Sequence, residues 1–566
     1  MAWLPYAAAH LILILTLTLA PTAHAATPAS FRDRCLTFSP LLGRHLAAAG
    51  ATLNKLEHIA AGTRLALLPD TDPSCNRAAQ AVPVDLCRVA LSVPTSARSG
   101  FVMELWMPET WGGRTLATGN GGLDGCIKYE DIAYGATNGF STFGTNNGHN
   151  GTSGQAFYQN EDVVLDFSWR ALHTSVEIGR ELTSRFYAAR KVGKSYYIGC
   201  SLGGRQGLGS AERFPGDFDG VVAGAPAADF NALYAWRARF FTLTGAAGGS
   251  PGFVAPEVWK TTVHAEVLRQ CDGGLDGVAD GIIEDPALCR FDAARLQCGH
   301  DDGDDSGNGT GTDCLTAAQT ETVRTIFADY VWPADGALLY PRMNPGSELL
   351  AADGVYAGKP YGPSVDWFRY AVRGDPDWDP AAYGVEDAAL AIERDPGGIT
   401  TWPSRDSLAA FRARGGKVLA YHGQQDQQIS SLNSARLWER LAGDGGGGDG
   451  GGRRGAELDA YFRLFRIPGM NHCSGGPGAW TVGQGGSAAS YGIPFDGAHN
   501  VLAALVGWVE GGVAPDEITG TKFVDDSVEA GVMYRHRHCR YPYRSTYLGR
   551  GDPLDMESWR CARIER

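Results

Sequence analysis

Residues 196–207 read YYIGCSLGGRQG, and the fold turns on how this stretch is understood. With Ser195 before it, "SYYIG" is a short β-rich run ending in turn residues. "GGRQGLGSAERF", from Gly203, can open a helix. Between them lies Gly199-x-Ser201-x-Gly203. A strand, a sharp turn with a serine at its apex and then a helix is the nucleophile elbow of an α/β-hydrolase, whose crowded turn leaves room only for glycine on either side. In a chain with 76 glycines the pattern arises readily by chance, so an ordinary strand–helix turn with an incidental serine is the competing reading.

The neighbourhood favours the elbow. Upstream, "VDLCRVALSV" (84–93) reads as a strand and "RTLATGNGG" (114–122) as a strand running into a glycine-rich turn. "SWRALHTSVEIGRELTSRFYAARKV" (168–192) combines helical periodicity with strong helix formers. Downstream, "GGKVLAYHG" (415–423) and "LDAYFRLFRIPG" (458–469) read as strands. "SLNSARLWERLAG" (431–443) and "HNVLAALVGWVEGG" (499–512) read as helices. Strand–helix–strand order predicts a parallel sheet of the α/β class, an α/β-hydrolase fold built from residues 26–229 and 405–566. Residues 230–404 are rich in Gly, Pro, Asp and Trp with weak periodicity, and read as a large inserted lid domain. Two charged, glycine-rich runs without apolar residues, 299–313 and 443–455, read as mobile.

The 566 residues can bury a large core, and 44% hydrophobic content is ordinary for a globular protein. A formal charge of −14 argues against nucleic acid or an anionic membrane as partner. The apolar run Leu11–Ala20, followed by Ala23-His24-Ala25, reads as a signal peptide over residues 1–25, with a retained membrane anchor as the alternative. Either exports the chain, which is then extracellular, or periplasmic in a Gram-negative host. Twelve cysteines, an even number, suit that compartment. Asn150-Gly-Thr152 and Asn308-Gly-Thr310 are glycosylation sequons.

A serine nucleophile needs a base and an orienting acid, which in this fold follow in the order Ser, Asp, His on loops after later strands. Asp426, in "LAYHGQQDQQIS", and His472, in "RIPGMNHCSGG", stand at those places. Asp426 as a helix cap, and His422 or His149 as the base, are the alternatives. Cys200 precedes the serine as Cys473 follows the histidine. A triad brings the two loops into contact, so their neighbours fall within the 4.4–6.8 Å Cα separation of a disulfide. A Cys200–Cys473 bond would brace the site and remove a competing thiol; the rival reading is a thiol enzyme using Cys200.

This Cys-Ser…Asp…His-Cys arrangement resembles the tannase and feruloyl esterase family, on the side of the fungal B-type feruloyl esterases, with the bacterial mono(2-hydroxyethyl) terephthalate hydrolase as a relation. The likeness includes residues 167–227 nearly throughout, "GNGGLDG" (119–125), "CDGGLDGVADGIIEDP" (271–286), "DPDWD" (375–379), "YHGQQD" (421–426) and "PGMNHCSGG" (468–476). It covers Cys35 to Cys561. It implies a secreted serine carboxylic-ester hydrolase for aromatic acyl groups, first feruloyl esters of plant polysaccharides, with galloyl esters or terephthalate half-esters as alternatives. A catalytically silent, calcium-braced protein that binds phenolics or glycans is the reading from another class.

The elbow supplies one oxyanion donor from the residue after the serine, Leu202, and the resemblance points to Gly122 for the other. Asp272, Asp276 and Asp280 are three carboxylates in one glycine-broken loop, a set that suits structural Ca²⁺. The resemblance adds the carbonyls of Val278 and Ile282, although the loop carries one extra residue between its first two aspartates. The resemblance also pairs Cys271 with Cys289, Cys298 with Cys314, Cys539 with Cys561, Cys35 with Cys87 and Cys75 with Cys126. In the lid, Trp367, Phe368, Tyr370 and Trp378 are candidate walls for an aromatic ring, against the plainer reading as lid core. Arg342 and Arg373 are the candidate cations for a substrate carboxylate.

Overall fold

A computed structural model describes residues 1–2, 30–188, 192–299, 314–443 and 450–564. Residues 3–25 of the expected signal peptide and the Asn308 sequon therefore lie outside the described residues. Of the two runs read as mobile, 300–313 and 444–449 also lie outside them, whereas Gly450–Asp459 is helical.

Nine strands form one mixed sheet. In chain order they are β1 (Thr52–Ile59), β2 (Leu86–Pro94), β3 (Gly100–Pro108), β4 (Arg114–Thr118), β5 (Phe140–Thr145), β6 (Lys194–Cys200), β7 (Gly220–Gly224), β8 (Lys417–Gly423) and β9 (Phe462–Ile467). Across the sheet they run β1-β2-β3-β5-β4-β6-β7-β8-β9. From β5 to β9 every pairing is parallel. From β1 to β5 every pairing is antiparallel. The parallel pairing expected from sequence is thus present from β5 to β9, and an antiparallel half that the sequence reading did not include extends the sheet from β1 to β5.

Three strands carry no legible alternation, for different physical reasons. Strand β1 is an edge whose side chains are half or fully exposed. Strand β5, Phe-Ser-Thr-Phe-Gly-Thr, is wholly buried but built largely from small polar residues. Strand β3 buries Glu104 in its middle, and Arg88 on β2 neutralises it through contacts of 2.6 and 3.0 Å.

Successive side chains of β6 point to opposite faces. Tyr197 enters the cluster formed with the helices Ala171–Phe186, Leu202–Arg213 and Ser431–Ala442. Tyr196 and Ile198 enter the opposite one, with the helix Val501–Gly511. The helix expected over 168–192 closes earlier, at Phe186, and opens with a wider π-turn at Asp166–Arg170.

After β7 the chain leaves the sheet and returns at β8. The helical layer built between them has its own core around Trp236, Trp259, Tyr356 and Trp367, and meets the sheet domain through Leu123, Phe157 and Phe167. Two C-terminal hairpins, Glu517–Phe523 with Val532–Cys539 and Tyr543–Tyr547 with Trp559–Arg563, close the molecule. All twelve cysteines are paired as expected, Cys200 with Cys473 and the other five pairs as the resemblance implied, with Cα separations of 5.0 to 6.0 Å. Among the described residues no helix is long and apolar enough to cross a membrane.

Candidate active site

Strand β6 ends at Cys200 and a helix starts at Leu202, so the reversal falls on Ser201, held at φ 65° and ψ −123°. A non-glycine residue adopts that conformation only when its surroundings enforce it. The Ser201 N–H donates to the Gly224 carbonyl at 3.0 Å, and its carbonyl accepts from Ala227 and Arg205 at 2.9 and 3.1 Å. Close packing explains the glycines after the serine. A Cβ on Gly204 would stand 2.3 Å from the Gly224 carbonyl oxygen, and one on Gly119 would stand 2.6 Å from the Gly203 Cα. The glycine turn after β4 therefore rests directly on the elbow. Gln206 pins it there, its Oε1 accepting from the Asn120 N–H at 3.0 Å.

Asp426 follows β8 and is completely buried. Its Oδ1 accepts from the backbone N–H groups of Gln428 and Ile429 at 2.7 and 2.8 Å. Its Oδ2 meets His472 Nδ1 at 2.7 Å and His422 Nε2 at 3.1 Å. Burial by itself would raise this carboxyl, but the two imidazoles outweigh it and hold the group well below the usual carboxylate range. His472 follows β9, and its backbone N–H donates to Gln427 Oε1 at 3.0 Å.

Ser201, His472, Gly122 and the Cys200–Cys473 bridge line one cleft of about 330 Å³, together with Lys128, Asp131, Gln428 and Gly485. The bridged Cα atoms are 6.0 Å apart. Among the described residues Ser201 Oγ makes no hydrogen bond with His472, a contact that is commonly long before substrate binds. Leu202 is the first residue of its helix, where a backbone N–H lacks an intrahelical partner, and Gly122 sits across the cleft at φ 53°.

The other candidates separate clearly. His149 Nε2 donates to the Leu123 carbonyl at 2.9 Å, and the ring packs against Phe157 and Phe167; burial lowers its pKa. It does not line the cleft. His422 sits behind Asp426, fully buried. Cys200 is disulfide-bonded, which overturns the thiol reading.

The aromatic walls resolve as lid core. Trp367 and Phe368 are fully buried, Trp367 donating to Asn231 Oδ1 at 3.0 Å and Phe368 stacking on Trp378. Tyr370 packs edge-on to Tyr158. Arg373 is paired with Asp387, and Arg342 leans on the carbonyls of Ala287 and Cys289. None of these six residues lines the cleft.

In the acidic loop, burial first and then neighbouring carboxylates push Asp276 and Asp280 up to about 6. Those neighbours include Asp272 and also Glu284, a buried acid that sequence reasoning passed over. Asp272 Oδ1 is buried without a hydrogen-bond partner. Crowded acids and an orphaned oxygen are the chemistry that an oxygen-loving cation relieves. Among the described residues, however, no three acidic, imidazole or thiol side chains stand as a preformed metal cage, so backbone carbonyls would have to complete the shell.

The family model for tannase and feruloyl esterase matches residues 87–366 and 401–562. The chain belongs to the tannase and feruloyl esterase family. It is accordingly a carboxylic ester hydrolase. A probable feruloyl esterase B-2 of Aspergillus flavus is 52% identical over 516 residues, which is 91% of this chain and 94% of that one. A probable feruloyl esterase B-2 of Aspergillus fumigatus is 45% identical over 551 residues, 97% and 99% of the two chains. The crystal structure of feruloyl esterase B from Aspergillus oryzae superposes with a TM-score of 0.86 at 43% identity, covering 94% of this chain and 100% of that one. The tannin acyl hydrolase of Aspergillus niger shares the fold, with a TM-score of 0.70 at 20% identity over 95% and 97% of the chains.

Proposed function

We propose that this member of the family hydrolyses feruloyl esters, in nature those of plant polysaccharides, by a serine acyl-enzyme mechanism. Ser201 Oγ attacks the ester carbonyl carbon while its proton passes to His472 Nε2. Asp426 holds the imidazole through Nδ1 and stabilises the imidazolium that forms. The oxyanion accepts hydrogen bonds from the N–H groups of Leu202 and Gly122. Collapse expels the alcohol, protonated by His472, and water then attacks the acyl-enzyme by the same route to release the acid. The observation that carries the reading is the 2.7 Å contact between Asp426 and His472 in the cleft that Ser201 lines.

The test is hydrolysis of methyl ferulate, methyl gallate, a terephthalate half-ester and a short aliphatic ester side by side, with Ser201→Ala as control. Preference for ferulate and loss of all turnover in the control are expected. Preference for gallate moves the substrate class to tannins. No turnover of any aromatic ester overturns the reading, and a fluorophosphonate probe that fails to label Ser201 overturns the mechanism.

We further propose that the acidic loop holds a structural Ca²⁺ on Asp272, Asp276, Asp280 and the carbonyls of Val278 and Ile282. EDTA should lower the melting temperature and added Ca²⁺ restore it; an unchanged transition removes the site. Six disulfides support secretion as the destination.

A further inference from the structure

One group in the cleft is left unused by this chemistry. Asp131, on the helix Tyr129–Thr137, lines the cleft with Ser201 and His472, yet is only 9% exposed. Its Oδ1 is buried with no hydrogen-bond partner, and among the described residues neither oxygen accepts a hydrogen bond from the protein. A buried, unpartnered carboxyl is expensive, and native structures keep one where a ligand completes it.

The surroundings preserve the vacancy in its bonding. Gly485 is packed so closely that a Cβ there would stand 2.4 Å from Asp131 Oδ1. The cations at hand are committed elsewhere: Arg77 is engaged by Glu130, and Lys128 Nζ lies 3.8 Å from Asp124. Burial first, and then Glu130, push the carboxyl up to about 7, with Lys128 and Arg77 only partly offsetting them.

We propose that Asp131 determines specificity by accepting a hydrogen bond from a hydroxyl of the ester bound in the cleft. The proposal rests on the esterase reading above and deepens it. It favours substrates that carry a free hydroxyl on either side of the scissile bond, the phenol of the acyl group or a hydroxyl of the alcohol. A site built to bond a hydroxyl strongly rejects the analogue that lacks it, because its own polar group is then left unpaired.

The experiment compares kcat/KM for methyl ferulate, methyl 3,4-dimethoxycinnamate and a feruloylated arabinose in wild type, Asp131→Asn and Gly485→Ala. Methylating the phenol isolates the acyl side, and replacing methanol by the sugar isolates the alcohol side. In wild type the hydroxyl-bearing member of one pair should be preferred by about 10- to 100-fold. Both variants should bring that ratio close to one, the hydroxyl-bearing member of the pair losing more kcat/KM than its partner. The pair whose ratio collapses names the hydroxyl. Asp131→Asn should melt no lower than wild type, since an uncompensated buried carboxylate is removed, so a fall in discrimination is not a folding defect.

Equal losses on all three substrates would overturn the proposal by making Asp131 a general structural residue. So would a wild-type enzyme that labels at Ser201 and hydrolyses esters but is indifferent to both hydroxyls; in that outcome the esterase reading stands. If no aromatic ester is turned over at all, both fall together.

Discussion

At the scale of residues, the carboxylate of Asp426 organises the site because all its hydrogen-bonding capacity is used. Two backbone N–H groups hold Oδ1, and two imidazoles share Oδ2. The second imidazole has an assignable role. His422 Nε2 faces two acceptors, Asp426 Oδ2 and the Ile429 carbonyl, so the network places its proton on Nε2, while Nδ1 accepts from Ser434 Oγ at 2.8 Å. His422 thus fixes the acid, and the acid fixes the base. Asp426→Asn should leave a folded protein whose kcat is lower by about 10⁴, as expected when the imidazole loses its correct tautomer. The same change has a signature in acid. The folded pKa of Asp426 lies below its unfolded value of about 3.9, so its stabilisation is present above that pH and lost as pH falls towards the folded value. Wild-type stability should therefore decline more steeply than that of Asp426→Asn below about pH 4, read from urea unfolding at successive pH values.

At the scale of elements, the site is a meeting of three loop ends: the elbow after β6, the acid loop after β8 and the base loop after β9. Ser201 and Cys473 both adopt φ 65°, so the elbow and the base loop are each held in a conformation that L-residues disfavour. The Cys200–Cys473 bond ties these two places across 273 residues of chain. Replacing both cysteines by serine should cost about 2–5 kcal/mol. Activity at temperatures where the double variant is still folded should fall as well, because a small displacement of Ser201 from His472 is enough to slow proton transfer. Full kcat in a destabilised double variant would show that the bridge stabilises the fold without aligning the triad.

At the scale of the whole molecule, the lid layer is fastened to the catalytic loops. Arg237 Nε donates to the Gln428 carbonyl at 2.8 Å, and Tyr361 Oη donates to Gln428 Oε1 at 3.1 Å. Asn344 Nδ2 donates to the Gln424 carbonyl at 2.8 Å. Asp285, beside the acidic loop, takes Arg466 of β9 in a buried two-pronged ion pair of 2.8 and 3.0 Å. That pair joins the acidic loop to the strand leading into His472. Asp285→Ala would strand a buried guanidinium and should cost about 3–5 kcal/mol in chemical denaturation, a large share of a total stability of about 5–15 kcal/mol. A loss under about 1 kcal/mol would mean that water reaches Arg466 in the variant.

What the sequence determined by itself is the parallel half of the sheet and the residues that meet at its end. Strands β4, β6, β8 and β9 are apolar runs ending in turn residues, and the order of serine, aspartate and histidine along them is dictated by the fold they build. Chain neighbours carried the Cys200–Cys473 inference because a disulfide has short reach. Where side chains are buried by partners distant in sequence, local pattern is silent. Glu104 inside β3 makes sense only with Arg88, and Trp367 looks like a pocket wall until Asn231 and Phe230 close around it. Glu284 and Asp131 are likewise ordinary polar residues in the sequence, and His422 stands there only as a rival base. Only the tertiary structure decided which of them is satisfied and which is left facing the cleft without a partner, because burial and hydrogen-bond completion are properties of the packed chain and not of any segment of it.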